Sequence, residues 1–515
     1  MKILRIKLLV YFFYIVSMSG CVANKIDRGE KKSLIYSQEN LVDTNSDNRQ
    51  KFHAVIHYPF EHALRYPGLI IGIEKGQSFL INDDKLKNSL FKPNSLSKSD
   101  EWLINKILTD ENAQFISHVV KISQDIDVTR PTVPELKRNA VSIYGDRNPC
   151  YLYNVYQDGS DDGIYRKRLD NVEYCNGKYQ SNTYPYSGGW DAIFRIKNEI
   201  KNDLSSALKR GSGGYSHVIV IVMGWNTEQI ESIQNFNSIV DRLAKTKKSP
   251  NEFRPYVIGV TWPSLWSNPL FDSVVKALSL INKSDDADEL GAGWLGAIFD
   301  YGILPIISDD METKIPLLVI GHSFGARASS SAVCRGTLLR PGPRWAIKKS
   351  SADAKVDWLV GLEGAYSMNR YTIGAGHMKL DYPNQCSRAS RLIFTSSSND
   401  SAAELASKLL FESEFVASSK TFKKAVKSEI DGMRFANYTA SSNGDLKAEC
   451  QESFDPTSRF LYVDASEVIF FKAYGTKMGA HSDIYRTETA KMIWNAITAS
   501  PKEDDVKCRS GQSVH

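Results

Sequence analysis

No CxxC pair occurs in the 515 residues, whose seven cysteines are spread from Cys21 to Cys508. Thiolates at that spacing build structural zinc sites, so no metal centre is expected. A large excess of charge of one sign is also lacking, with 64 Lys and Arg against 59 Asp and Glu. The net charge is +5 at pH 7, and Lys2, Arg5 and Lys7 supply three of those charges within a 20-residue start that holds no acid. The rest of the chain has no basic cluster interleaved with aromatics, so no nucleic acid is expected as a partner. At 42% hydrophobic and 24% charged, the composition is that of a globular protein able to bury a core without help from disulfides.

The basic start is followed by a short apolar run, Leu8 to Val16, and then by Ser17-Met18-Ser19-Gly20-Cys21. The run is too short for a membrane span and suits an export signal. This segment resembles the lipobox of bacterial lipoproteins, in which a Cys after a small residue is acylated and becomes the new N-terminus. Met18 stands where Leu is commonest. An ordinary cleaved signal with an incidental Cys is the alternative. The resemblance implies a signal peptide over 1–20, lipidation of Cys21, and a membrane partner reached through that N-terminal lipid anchor. Val22 after Cys21, rather than Asp, implies the outer membrane in a Gram-negative envelope. Residues 21–52 are polar and read as a flexible tether. Export permits disulfides, and Cys150 with Cys175 and Cys450 with Cys508 are plausible pairs. Cys334 is expected to be a buried free thiol.

Residues 53–185 mix short apolar stretches with loops and read as an N-terminal extension of unknown role. A regular pattern follows. Phe194, Ile196, Ile200, Leu204 and Leu208 recur at helical spacing within Asp191–Arg210. The β-branched runs His217–Met223, Tyr256–Trp262 and Ile315–Ile320 predict strands buried on both faces. Asp357–Leu362, Arg391–Thr395 and Val468–Ala473 continue the series, with helices predicted over Gln229–Lys245, from Ala326, and over Ile484–Ala499. The alternation predicts an α/β fold with a doubly wound, mostly parallel sheet. Pro263–Lys314 holds two apolar stretches, Leu270–Ile281 and Trp294–Ile306, separated by an acidic loop with Asp285, Asp286, Asp288 and Glu289. These are core helices or a cap, and core packing is the commoner fate of such stripes. Residues 501–515 form a polar tail.

Four short segments at predicted strand ends carry chemistry. Gly321-His322-Ser323-Phe324-Gly325 lies between a strand and a helix, as a serine nucleophile on a sharp turn requires. Flanking glycines let chains cross there, and the helix N-terminus favours developing negative charge. Met223-Gly224-Trp225-Asn226 ends the strand His217–Met223. Asp400 follows the strand Arg391–Thr395 and is suited to holding a histidine tautomer. Glu363 is its rival for that role, and a helix N-cap before Ser401 is another use for Asp400. His481, in Gly479-Ala480-His481-Ser482-Asp483, follows the last predicted strand. His322 and His377 are fallback bases.

Over roughly residues 190–500 these features, in this order, resemble the α/β-hydrolase superfamily. The resemblance implies an α/β-hydrolase domain over 186–500 with a Ser323, Asp400, His481 triad. It also implies an oxyanion hole from the backbone N–H groups of Trp225 and Phe324. Met223 replaces the usual His of the family's His-Gly-aromatic segment. No cofactor or metal is implied. The expected substrate is an ester, with lipid or acyl esters suggested by a surface-anchored enzyme. The alternatives are a non-catalytic envelope lipoprotein that uses a hydrolase fold for binding, and an envelope assembly protein whose function lies in residues 22–180.

Overall fold

The computed structural model describes residues 64–75, 104, 114–122, 149–154, 173–175, 185–209, 214–224, 227, 229–246, 253–264, 283–310, 314–341, 345–371, 382–410, 415–420, 433–449, 455, 457–471 and 480–499. The predicted signal segment with Cys21, the predicted tether, the stretch Leu270–Ile281, His377, Cys450, Cys508 and residues 501–515 lie outside the described residues.

One sheet organises the chain. Its strands are β1 (Gly68–Lys75), β2 (Gln114–Ile122), β3 (Cys150–Asn154), β4 (Glu173–Tyr174), β5 (His217–Val222), β6 (Pro255–Thr261), β7 (Leu317–His322), β8 (Val356–Leu362), β9 (Ala389–Ser396), β10 (Ala436–Ala440), β11 (Leu446–Ala448) and β12 (Phe460–Asp464). They lie in the order β11-β10-β12-β9-β8-β7-β5-β6-β1-β2-β3-β4. From β10 to β1 every neighbouring pair is parallel, and the antiparallel pairs β10–β11, β1–β2 and β2–β3 lie outside that run. The fold is therefore α/β, with a mixed, mostly parallel sheet.

Strand burial follows the residue types. His217–Val222 (HVIVIV) is buried at all six positions, and Val218, Val220 and Val222 face one core while Ile219 and Ile221 face the other. This is the period-2 alternation of a strand covered on both sides. On the first face α1 (Pro185–Lys209) contributes Trp190, Ile193 and Ile196. A long helix α3 (Lys283–Ser308) and α4 (Phe324–Cys334) pack on the same side. On the second face α2 (Gln229–Thr246) and α6 (Thr487–Thr498) pack together, with Phe236, Val240, Met492 and Ile493 inside. A short helix α5 (Ser401–Leu409) follows β9.

Several sequence expectations change. The boundary at 185/186 runs through a single sheet: β1 pairs in parallel with β6, and β2 to β4 extend that edge. Val468–Ala473 is not the last strand. Phe460–Asp464 fills the slot between β9 and β10, and Val468 and Ile469 bury from the turn that follows. Apolarity alone cannot separate a buried turn from a strand. Cys334 is not a free thiol. It is bonded to Cys386, which sits in a left-handed turn before β9, where the two Cα atoms come within 4.3 Å. Closing that 52-residue separation stabilises by about 4 kcal/mol in the chain-entropy picture. Cys150 and Cys175 are bonded as expected.

The acidic loop predicted before Trp294 is helical from residue 283, and α3 kinks at Gly293, whose backbone is not helical. α3 is long and apolar enough to cross a membrane by length and composition, yet its most apolar stretch of 18 residues is buried in the core. At helical spacing its acids meet different partners. Asp286 pairs with Lys283 at 3.2 Å, and Glu289 Oε1 accepts the Gln114 N–H at 2.7 Å. Asp288 accepts from Arg327 Nη2 at 2.7 Å and from both terminal nitrogens of Arg370, at 2.6 and 3.1 Å. Burial pushes the Asp288 carboxyl up, but the two guanidinium groups outweigh it and hold the group at about 2.

Removing one partner of such a buried cluster costs about 3–5 kcal/mol, because charge is left uncompensated. Asp288→Asn is therefore expected to destabilise by that amount in urea denaturation at pH 7. The folded value lies below the ordinary 3.8, so the contribution is present above about pH 4 and is lost as pH falls towards 2. The gap between wild type and variant should narrow over that window. A gap below 1 kcal/mol at pH 7 would refute the assignment.

Candidate active site

Because β5, β7, β8, β9 and β12 run parallel, the residues after each emerge at one edge of the sheet. β5 leads to β6 on one side and β7 lies on the other. Open α/β sheets bind ligands at such a reversal of winding, beyond the C-terminal ends of the two strands, here β5 and β7. Ser323 follows β7 directly.

Ser323 has φ 55 and ψ −123, a strained conformation for a residue with a side chain. Four backbone bonds hold it there. Its N–H donates to Leu362 O at 3.0 Å, and its carbonyl accepts from Ala326, Ala365 and Arg327 at 3.1, 3.1 and 3.4 Å. It occupies the N-cap of α4, yet its hydroxyl makes no capping bond. Two glycines make room for the turn. A Cβ on Gly224 would lie 2.6 Å from Ser323 Cβ, and one on Gly325 would lie 2.1 Å from Val222 O. Phe324 opens α4, where helix geometry offers its N–H no intrahelical acceptor. Trp225, the other expected donor, lies outside the described residues.

Asp400 lies in the turn after β9 and its two oxygens have separate partners. Oδ1 accepts the N–H groups of Ala402 and Ala403, at 2.9 and 3.1 Å, capping α5. Oδ2 lies 2.7 Å from His481 Nδ1. The N-cap and the histidine partner, alternatives at the level of sequence, coexist in one carboxyl group. That contact leaves Nε2 as the ring nitrogen for proton transfer. Burial alone would raise the Asp400 carboxyl. The imidazole of His481, the Ala403 N–H and a bond from Glu363 instead hold it below the usual carboxylate value.

The His481 loop is tied down on several sides. Ala480 N–H donates to Asn399 O at 3.0 Å. His322 Nε2 donates to the His481 carbonyl at 2.9 Å, and the two rings are 4.9 Å apart, so His481 lies beside the turn that carries Ser323. Burial, reinforced by His481, pushes His322 down to about 3. His322 is thus neutral, with its proton on Nε2, and serves as an anchor for the loop. Two residues beyond His481, Asp483 Oδ2 accepts the backbone N–H groups of Phe470 and Phe471, at 3.1 and 2.7 Å. Phe470 and Phe471 are 48% and 57% exposed, and Arg486 lies 4.4 Å over the Phe470 ring.

Glu363 does not replace Asp400 as the partner of His481. It stands behind Asp400, fully buried, with its carboxyl within hydrogen-bonding reach of that of Asp400. Its part beside Asp400, and that of His322 as an anchor, left no trace in local sequence. Each depends on loops from different strands meeting at the sheet edge. Among the described residues, no group of three or more His, Cys, Asp or Glu side chains is placed to hold a metal ion.

A hydroxyl on a strained turn, a histidine held by one carboxylate and a helix N-terminus together can support nucleophilic attack with proton transfer. No protein-family model matches the chain, and neither a curated protein nor a solved structure is significantly similar to it.

Proposed function

We propose that the chain is a serine hydrolase of the α/β-hydrolase type that cleaves ester bonds by acyl transfer to water. The observation that carries this reading is the 2.7 Å contact of His481 Nδ1 with Asp400 at the sheet edge where the strained Ser323 turn emerges. Ser323 Oγ attacks the ester carbonyl carbon and gives its proton to His481 Nε2. The Phe324 and Trp225 N–H groups stabilise the oxyanion, each worth about 3–4 kcal/mol. His481 then protonates the departing alcohol. Water attacks the acyl-enzyme with His481 as base, which releases the acid and restores Ser323.

The substrate is an ester with an apolar acyl group, of the lipid class. Support comes from Phe470 and Phe471, held exposed on the segment that leads to His481. The enzyme is a lipoprotein anchored through Cys21 in a bacterial envelope, on the outer membrane where there is one. The bonded pairs Cys150–Cys175 and Cys334–Cys386 suit an oxidising compartment outside the cytoplasm.

The test is made on the full-length protein in detergent. A fluorophosphonate probe should label Ser323, identified by peptide mapping. p-Nitrophenyl esters should be hydrolysed with kcat/KM rising up to roughly fourfold per added methylene until the acyl site is filled. Labelling with no preference for chain length would keep the mechanism and overturn the apolar substrate class. Neither labelling nor turnover would favour the non-catalytic binding lipoprotein.

A further inference from the structure

Glu363 is the first residue beyond β8 and adopts φ 46, a left-handed conformation that an ordinary residue holds only under constraint. Its N–H donates to Thr395 Oγ1 at 3.0 Å. Its Oε1 accepts from the Thr395 hydroxyl at 3.3 Å, and its Oε2 accepts the Ser397 N–H at 3.1 Å. Ser397, whose N–H this carboxyl accepts, also takes the Asp400 N–H on its carbonyl at 3.1 Å, and the turn brings the two carboxyl groups within hydrogen-bonding reach. Two buried carboxyl groups in direct contact cannot both be ionised, so one proton lies between them. Asp400 already accepts from Ala402, Ala403 and His481 and is the better place for the negative charge.

We propose that Glu363 stands behind the Asp400–His481 pair as a neutral acid, donating its O–H to the Asp400 carboxylate, and is a positioning residue that moderates the charge His481 meets. The titratable neighbours agree. Burial, and then the Asp400 charge, push Glu363 well above the usual 4.5, and Tyr462 faces it from β12 with its own hydroxyl pushed up mainly by burial. The proton on Glu363 points at Asp400, and Asp400 in turn points at His481. The result is a three-membered chain of side chains, Glu363–Asp400–His481, in which Glu363 touches no substrate.

The kinetic arm of the test rests on the hydrolase reading, and the stability arm does not. In the full chain, the rate of Ser323 phosphonylation by a fluorophosphonate is followed against pH for wild type, Glu363→Gln and Glu363→Leu. Glutamine keeps a neutral donor towards Asp400 while the Thr395 hydroxyl turns to suit it. Its acid limb should stay within about 0.3 pH unit of wild type. Leucine removes the donor, leaves the Asp400 charge undiluted beside His481, and should move the limb up by about one pH unit. If Glu363 were ionised, both variants would remove a negative charge and both limbs would move down, which overturns the proposal. Should the leucine variant fail to fold, the glutamine variant decides alone.

The second arm compares urea denaturation of wild type and Glu363→Gln from pH 4 to 9. A group with a raised folded value contributes stability that is lost as pH rises above 4.5. Glu363→Gln should therefore gain on wild type steadily as pH rises. A gap independent of pH would mean that Glu363 ionises in the fold as it does in the unfolded chain, and would overturn the proposal. Absence of labelling in the wild type would overturn the hydrolase reading and leave this arm to decide the state of Glu363.

Discussion

Ser323→Ala should lower ester turnover by on the order of 10⁴- to 10⁶-fold and abolish fluorophosphonate labelling, while stability changes by less than about 0.5 kcal/mol. The two parts of this expectation have separate physical origins. Under the proposed mechanism activity falls because Ser323 Oγ would form the acyl bond, and water in its place lacks the alignment the turn provides. Stability is kept because the hydroxyl makes no capping bond and alanine retains the Cβ against which Gly224 is fitted. The four backbone bonds that hold φ at 55 are also unchanged. Initial rates on a p-nitrophenyl ester, with urea denaturation run beside them, check both parts. Residual turnover above a tenth of wild type, in a folded protein, would place the nucleophile elsewhere.

Asp400→Asn should reduce kcat/KM by about 10⁴-fold at neutral pH while the stability supplied by the cap of α5 is kept. Asparagine is nearly isosteric, and its Oδ1 can keep accepting from Ala402 and Ala403, so the cap of α5 survives. The change occurs at the other end of the group. Where Oδ2 accepted from His481 Nδ1, an amide nitrogen now donates. The imidazole must then carry its proton on Nε2, the wrong tautomer for accepting one from Ser323. Asp400→Ala removes the cap as well and should lose a further ~1 kcal/mol of stability. Measuring both variants separates the two roles of this carboxyl. Equal turnover in wild type and Asp400→Asn would mean that His481 does not act as the base.

The central strands were legible because their residues are unambiguous. His217–Val222 and Leu317–His322 are β-branched or leucine-rich runs that only a doubly covered strand accommodates comfortably. The Ser323 turn was legible because its glycines are demanded by chain crossings close in sequence to the serine. Phe460–Asp464 was not. It competes with the more apolar Val468–Ala473 for the role of last strand, and the choice depends on which segment fits between β9 and β10. The pairing of Cys334 with Cys386 was invisible for a similar reason, since their 52-residue separation says nothing about where α4 ends relative to β9.

By itself, the sequence determined the alternation of strand and helix, the run of buried parallel strands, and the local geometry around Ser323. Each follows from interactions among residues close along the chain. Only the tertiary structure decided that β1 to β4 extend the same sheet and that Asp288 of α3 is a buried partner of Arg327 and Arg370. It also decided that Asp400 serves helix and histidine together with Glu363 behind it. These contacts join residues far apart in the chain, and their energies come from desolvated charge and shared protons. Such terms exist only once the sheet edge and the core have formed around them.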